Sequence, residues 1–315
     1  MKSGIKGRII QSTGKWYIVQ TSDGTTTQCS LAGKFRLNEY DRTNPVAVGD
    51  WVVFEPQEEG TGRIHTIEDR KNAISREATH GKKGTQIIAA NIDLGIVVQS
   101  LVQPEFKPGF TDRFLVTCEA YDIQPLVIIN KVDLAGKSAL EYLNDLEKIY
   151  SGIGYELLPC SIYDESLLSA IKDRIKGKTC VFVGPSGVGK SSILNAIAPE
   201  ANQTVSEISS WSNKGTHTTT YARLIPLQDG GAIVDTPGIR EFGLVDLKPD
   251  EVDLCFPEFE PYRDLCRYHN CLHIEEPECA VTKAFDDGEL SASRYRSYLN
   301  IVDSLKQSHS FKGRG

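Results

Sequence analysis

The 315-residue chain has no apolar run approaching the roughly 20 residues that a bilayer-spanning helix needs. Its start, MKSGIKGRII, lacks the apolar core of a secretory leader. The two absences together predict a cytoplasmic protein with no membrane partner. No internal repeat is present, which sets repeat architectures aside. Positive charge is not in excess either: the net charge is −7, made of +1 over residues 1–72, −3 over 73–245 and −5 over 246–315. Charge balance alone therefore does not announce a nucleic-acid binder. The eight cysteines lack the even spacing of a disulfide framework: Cys29, Cys118, Cys160 and Cys180 are scattered, while Cys255, Cys266, Cys271 and Cys279 crowd together. In a reducing compartment such a late cluster reads as metal ligands.

A content of 40% hydrophobic and 24% charged residues suits an ordinary globular chain of two or three domains. Residues 4–70 carry short alternating segments, GRIIQS, KWYIVQT, TTTQCSL, GDWVVFEP and GRIHTIE, broken by turn signals at Ser22-Asp23-Gly24 and Asn44-Pro45. Five such strands in about seventy residues predict an all-β OB-fold barrel. A barrel of this kind binds single-stranded nucleic acid, or serves only to pack domains together. From Asn91 the rhythm changes to apolar strands (LGIVVQS, QPLVIIN, YELLPCS, TCVFVG, GAIVDT) separated by helical patterns such as SALEYLNDLEKIY and ESLLSAIKDRI. That alternation predicts a mainly parallel α/β sheet. After Leu244 a Pro-, Cys- and acid-rich stretch leads into a helical segment, SASRYRSYLNIVDSLKQ. The domains are expected at 1–72, 73–245 and 246–315.

GPSGVGKS matches the phosphate-loop pattern G-x-x-x-x-G-K-[ST] through Gly184, Gly189, Lys190 and Ser191, with Pro185, Ser186, Gly187 and Val188 between and Ser192 following. It lies after a strand pattern and before a helical one, the context that the motif requires. Glycines let successive N–H groups close on phosphate at a helix N-terminus. Lys190 is then set to reach the β- and γ-phosphates and Ser191 to coordinate Mg²⁺.

NKVD places Asn130, Lys131 and Asp133 at the end of the strand PLVII. A carboxylate accepts hydrogen bonds only, so Asp133 can pair with the N1–H and amino group of guanine and would be left unpaired by adenine. Asn130 can hold the loop and meet the base edge, while the stem of Lys131 can cover its face. Cys160 and Ser161, in PCSI, occupy the slot of a short base-backing segment. AIVDTPG presents Asp235 for the Mg²⁺ shell and the Gly238 N–H for the γ-phosphate. Between these motifs lies NKGTHTTTYARLI, where Thr218 or Thr219 is the expected further Mg²⁺ ligand.

NKVD precedes the phosphate loop by about fifty residues, the reverse of the usual GTPase order. Taken as a cycle, however, phosphate loop, switch I, DTPG, NKVD and CSI follow in the ordinary succession. A circular permutation, possible where chain ends lie close at the surface, leaves one nucleotide site intact. It also runs switch II straight into the Cys-rich region, so loss of the γ-phosphate is expected to pull on the last domain. In that region CRYHNCLHIEEPEC offers Cys266, Cys271 and Cys279 with either His269 or His273, a donor set for one structural zinc.

The N-terminal barrel pattern, the permuted motifs, GTHTTT and the late Cys/His cluster make the chain similar, over nearly its whole length, to the circularly permuted, small-ribosomal-subunit-dependent GTPases of the RsgA/YjeQ type. The resemblance implies a multidomain protein: OB-fold barrel, α/β circularly permuted P-loop GTPase domain and small zinc-stapled helical domain. It implies GTP hydrolysis in late maturation of the small ribosomal subunit, stimulated by that subunit, with the subunit and its rRNA as partners and a monomeric enzyme cycling between GTP and GDP. The family pattern C-x4-C-x-H-x5-C selects His273 as the fourth ligand and leaves His269 and Cys255 outside. The position of the Ras-type glutamine holds Ile239, which cannot orient water, and the resemblance points instead to His217 in switch I. The competing expectation is a GTP-regulated switch that binds RNA or protein outside ribosome assembly.

Overall fold

The computed structural model describes residues 4–13, 15–33, 45–57, 60–77, 85–199, 222–228, 230–235, 244 and 247–312. The chain divides into two compact units, one of 1–95, 168–183 and 190–245, the other of 96–167, 184–189 and 246–315. The switch II connection to the Cys-rich region falls largely outside the described residues.

In the first unit the alternating segments become β1 (Ile5–Ser12), β2 (Tyr17–Gln20), β3 (Thr26–Leu31), β4 (Trp51–Pro56) and β5 (Thr61–Ile67). β1 pairs antiparallel with both β2 and β4, β2 with β3, and β4 with β5, while β3 and β5 pair in parallel. That circuit closes the barrel in the order 1-2-3-5-4-1 and removes its edges. Every second residue points inward, so Ile9, Tyr17, Val19, Cys29, Val52, Phe54 and Ile64 form one buried cluster with Val46. Each fully buried side chain of this size contributes about 1.5–3 kcal/mol.

A bulge between Ile9 and Gln11 re-aims the end of β1. Gln11 there pairs with Arg223 of β12 (Arg223–Pro226), which runs antiparallel to β13 (Ala232–Asp235). β13 in turn pairs in parallel with β11 (Thr179–Val183). The Arg8 guanidinium donates to Thr179 Oγ1 (2.7 Å) at the start of β11 and to the carbonyls of Gly49 and Asn91 (both 3.3 Å). A hairpin of β6 (Ala73–Glu77) and β7 (Thr85–Ala90), not anticipated from sequence, follows the barrel.

The second unit holds β8 (Leu94–Ser100), β9 (Gln124–Asn130) and β10 (Glu156–Pro159) in the order β10-β9-β8, with β9 and β10 parallel. All seven residues of β8 are buried, which is why its sequence is a run and not an alternation. α1 (Pro108–Ala120) follows β8, α2 (Lys137–Ser151) follows β9, and α3 (Glu165–Ile175), which belongs to the first unit from Leu168 onward, follows β10. Sequence periodicity found α2, whose Leu143, Leu146 and Tyr150 share one buried face. It missed α1, because Thr111, Asp112 and Phe114 to Cys118 are all buried and leave no amphipathic stripe.

The C-terminal region of this unit begins with 3-10 turns at Pro249–Cys255 and Pro257–Phe259. The helices α5 (Glu260–Arg263), α6 (Ala280–Asp286) and α7 (Ala292–Lys312) follow, counting α4 as Lys190–Ile197. Phe256 and Phe259 pack on Tyr298 with ring centroids 5.3 and 4.9 Å apart. Arg294 of α7, 1% exposed, donates to Asp112 Oδ1 of α1 (2.8 Å) and to Glu258 (2.7 and 3.1 Å), and Tyr150 donates to the same Asp112 oxygen (2.9 Å). Burial opposes its charge, but the two carboxylates hold the guanidinium more firmly protonated than usual.

Candidate nucleotide site and metal centre

At the end of β11 the chain turns through Gly184 (φ 153°) and Gly189 (φ 92°). A Cβ at Gly184 would lie 2.1 Å from the Val98 carbonyl oxygen, and one at Gly189 would lie 2.3 Å from Asn130 Nδ2. Only glycine fits either approach. The buried Asn130 amide donates to the Val188 carbonyl at 2.8 Å. Lys131, itself left-handed at φ 63°, sends its ammonium to the carbonyls of Gly187 (2.7 Å) and Gln103. NKVD and the phosphate loop, adjacent in no part of the sequence, are thus bonded side chain to backbone.

Asp133 stands exposed in the 3-10 turn Val132–Leu134. That turn is pinned from behind: Val132 N donates to the Cys160 carbonyl (3.2 Å) and Cys160 N to the Ile129 carbonyl (2.8 Å). Burial, with lesser contributions from Asp133 and Asp164, pushes the Cys160 thiol up to about 11, so it remains protonated. Ser161 is buried and its hydroxyl accepts from the Tyr163 N–H (3.2 Å). Ser186 is exposed on the loop, Pro185 half-buried and Val188 fully buried. Asn130 Oδ1 is buried without a partner among the described residues.

Lys190, Ser191 and Ser192 open α4 in the first unit, with both serines exposed and Ile193 and Ile197 holding the helix down. Asp235 ends β13 directly across from Arg223. Protein packed around its carboxyl raises it above the usual range, against the pull of that arginine. His217, Thr218, Thr219 and Gly238 lie outside the described residues.

In the C-terminal region the thiolate-capable atoms of Cys266, Cys271 and Cys279 and a ring nitrogen of His273 all fall within 4.8 Å of one another. Cys266 Sγ is 3.8 Å from Cys279 Sγ, and His273 Nδ1 is 3.5 and 3.4 Å from these two sulfurs. Tetrahedral bonds of about 2.3 Å to sulfur and 2.0–2.1 Å to nitrogen give edges of roughly 3.8 and 3.6 Å, so the quartet has the dimensions of a zinc site. His269 is exposed outside the quartet, and Cys255 is buried against the Glu251 carbonyl instead.

The second layer was not legible in the sequence. Asp253 Oδ2 lies 3.6 Å from His273 Nε2, fixing the ring so that Nδ1 faces the sulfurs. Tyr295 donates to the His273 carbonyl (2.8 Å) and Tyr298 to that of Leu272 (2.6 Å). Burial works against a thiolate at Cys279, yet bonds from Thr282, His273 and Cys271 bring that thiol down to about 7. At Cys271 burial pushes the thiol up to about 12.

Comparison with known proteins supplies the remaining findings. A family model described as RsgA GTPase matches residues 67–245, and one described as RsgA N-terminal domain matches residues 6–64. A protein of Bacteroides fragilis named Small ribosomal subunit biogenesis GTPase RsgA is 42% identical over 303 residues, covering 96% of this chain and 98% of that protein. One of the same name from Christiangramia forsetii is 42% identical over 308 residues, covering 97% and 98%. The crystal structure of YjeQ from Thermotoga maritima matches with a TM-score of 0.78 at 33% identity, over 96% of this chain and 98% of that one. The structure of YloQ, a circularly permuted GTPase, matches at 0.76 and 32% identity, over 98% and 96%.

Proposed function

The chain belongs to the RsgA GTPase family, and from that membership we propose that it hydrolyses GTP to GDP and phosphate during late maturation of the small ribosomal subunit, which raises its rate. It would act in the cytoplasm as a monomer of three domains, 1–72, 73–245 and 246–315. The observation that carries most of this reading is the grip of Asn130 and Lys131 on the carbonyls of Val188 and Gly187. A base-recognition segment that bonds the phosphate loop couples occupancy of one to the geometry of the other, as a guanine nucleotide site requires.

Within that reading Asp133 selects guanine, Asn130 and Lys131 hold the base segment to the loop, and Cys160 and Ser161 back the base. Gly184, Pro185, Ser186, Gly187, Val188 and Gly189 surround the phosphates, with Lys190 supplying the cation and Ser192 the following helical N–H. The Gly238 N–H meets the γ-phosphate. Ser191, Asp235 and one of Thr218 and Thr219 would hold the Mg²⁺ that enters with GTP, and the ion would supply charge neutralisation at the phosphates. His217 is assigned to the attacking water, with a neutral imidazole as acceptor. Cys266, Cys271, His273 and Cys279 would hold one zinc, and four filled positions confine it to a structural part.

The test is GTP turnover measured with purified small subunits, large subunits or free RNA. Acceleration by small subunits alone is expected. An equal response to all three, or to none, would favour a GTP-regulated switch acting elsewhere.

A further inference from the structure

Spacing along the chain lets either His269 or His273 join the three cysteines, yet it is His273 that lies with the sulfurs. The two imidazoles belong to one short stretch. His269 is exposed, whereas His273 retains 2% of its surface. A local cause must turn the second ring inward and leave the first outside.

The backbone around His273 supplies that cause. His273 sits at φ 54°, in the left-handed region that a residue with a Cβ rarely adopts. Such a conformation persists where neighbouring contacts hold it. Glu276 makes those contacts. Its Oε1 accepts the Leu272 N–H at 2.9 Å, and its Oε2 accepts the N–H groups of Ile274 at 2.8 Å and Glu275 at 3.2 Å. One carboxylate therefore grips the chain on both sides of the histidine. Hydrogen bonds to an ionised acceptor are the stronger kind, and three of them here end on a single side chain. The carbonyl side is braced separately, by the hydroxyls of Tyr298 and Tyr295 on Leu272 and His273. Among the described residues no carboxylate accepts from the N–H groups of Tyr268, His269 or Asn270 in the same way.

We infer that Glu276 is a positioning residue of the metal centre: it folds residues 272–275 around its carboxylate, holds His273 left-handed and so selects this imidazole over His269 as the nitrogen ligand. Glu276 is not one of the four donors, since both of its oxygens face backbone N–H groups. Its part also differs from that of Asp253. Asp253 sets the rotation of the ring, whereas Glu276 sets the backbone that delivers the ring. The inference rests on the zinc reading given under Proposed function.

The experiment uses the full chain, stripped of metal and reloaded. Chelator competition gives zinc affinity, and the absorption spectrum of the cobalt(II)-loaded protein reports the donor set. Glu276→Ala should bind zinc about 10–100-fold more weakly, the scale expected when a residue that orients a ligand is lost. Glu276→Gln keeps one oxygen as an acceptor and should lose less than Glu276→Ala. Its cobalt spectrum should coincide with that of wild type, while that of Glu276→Ala should shift as the imidazole leaves the donor set. His273→Ala should weaken binding by a smaller factor in the Glu276→Ala background than in wild type, because a ring no longer aimed at the metal has less to lose. A residue that only stabilised the domain would leave the two factors to multiply. Independent factors, or wild-type affinity in Glu276→Ala, in a chain whose wild type loads one zinc, would overturn the inference and leave the zinc centre standing. A wild-type chain that takes up neither zinc nor cobalt would remove the zinc centre and the selection with it.

Discussion

In the proposed nucleotide site, Asp133 is the residue on which base choice would turn. It is exposed in a turn pinned by the backbone of Cys160, so its carboxylate is presented to a ligand and not spent on the fold. Asp133→Asn should therefore weaken GTP binding and shift preference towards xanthine nucleotides, whose extra carbonyl accepts from the new amide. With guanine the new amide donor meets the donor amino group, and the unpaired donors cost about 1–3 kcal/mol, or roughly tenfold to a hundredfold in affinity. Competition between GTP and XTP on the variant reads this out, and an undiminished guanine preference would remove Asp133 from the base pocket. Asn130 differs in kind. Its amide is committed to Val188 and its Oδ1 is buried and unpartnered among the described residues, so its part is to hold the loop and offer one further acceptor.

Among elements, the short segment from Cys266 to Cys279 is the one least able to fold by itself. It contributes few apolar side chains, and its carbonyls at Leu272 and His273 are held from α7 by Tyr298 and Tyr295. The zinc proposed for this cluster would supply the missing energy, because structural zinc binding is folding free energy. Cys271→Ser should lose bound zinc and most of the acceleration by small subunits while keeping basal GTP hydrolysis. Metal content and both rates on one preparation decide the matter, and full acceleration without zinc would show that this element does not relay the ribosomal signal. Proton linkage adds a second expectation for the same site. The Cys271 thiol stands near 12 without metal and must ionise to bind it, so apparent zinc affinity should rise by at least about tenfold per pH unit through neutrality. A chelator competition flat with pH would exclude Cys271 as a thiolate ligand.

At the scale of the whole molecule, the second unit is tied across its length by Arg294, Asp112 and Glu258, residues up to 182 positions apart. Two carboxylates share one buried cation, and removal of that cation leaves both uncompensated. Arg294→Met should cost about 3–5 kcal/mol in urea unfolding. The triple replacement Arg294→Met, Asp112→Leu, Glu258→Leu should recover much of that loss, since an apolar cluster has no charge to desolvate. A loss below about 1 kcal/mol in the single variant would mean that the network is solvated in solution. The same scale explains which elements were readable. The barrel strands alternate because each has one wet face, and α2 shows its period for the same reason. α1 is buried at Thr111, Asp112 and the continuous run Phe114 to Cys118, so PGFTDRFLVTCEA carries no clean apolar stripe to detect.

The sequence by itself determined the barrel's five strands, the permuted succession of phosphate loop, DTPG and NKVD, and the presence of three cysteines and two histidines within fourteen residues. All of these are local: spacing along the chain is enough to state them. Spacing left His269 and His273 open, the family pattern chose His273, and the structure gathers His273 with the sulfurs; the tertiary structure alone decided that Asp253 orients the imidazole and that Lys131 bonds both Gly187 and Gln103. It also decided that Lys6 and Arg8 both lie against the ring of Trp51. The physical reason is common to these cases. A hydrogen bond or stacked cation depends on separations of a few ångströms between side chains tens to hundreds of residues apart, and such proximity is created by packing the apolar faces of the elements that carry them.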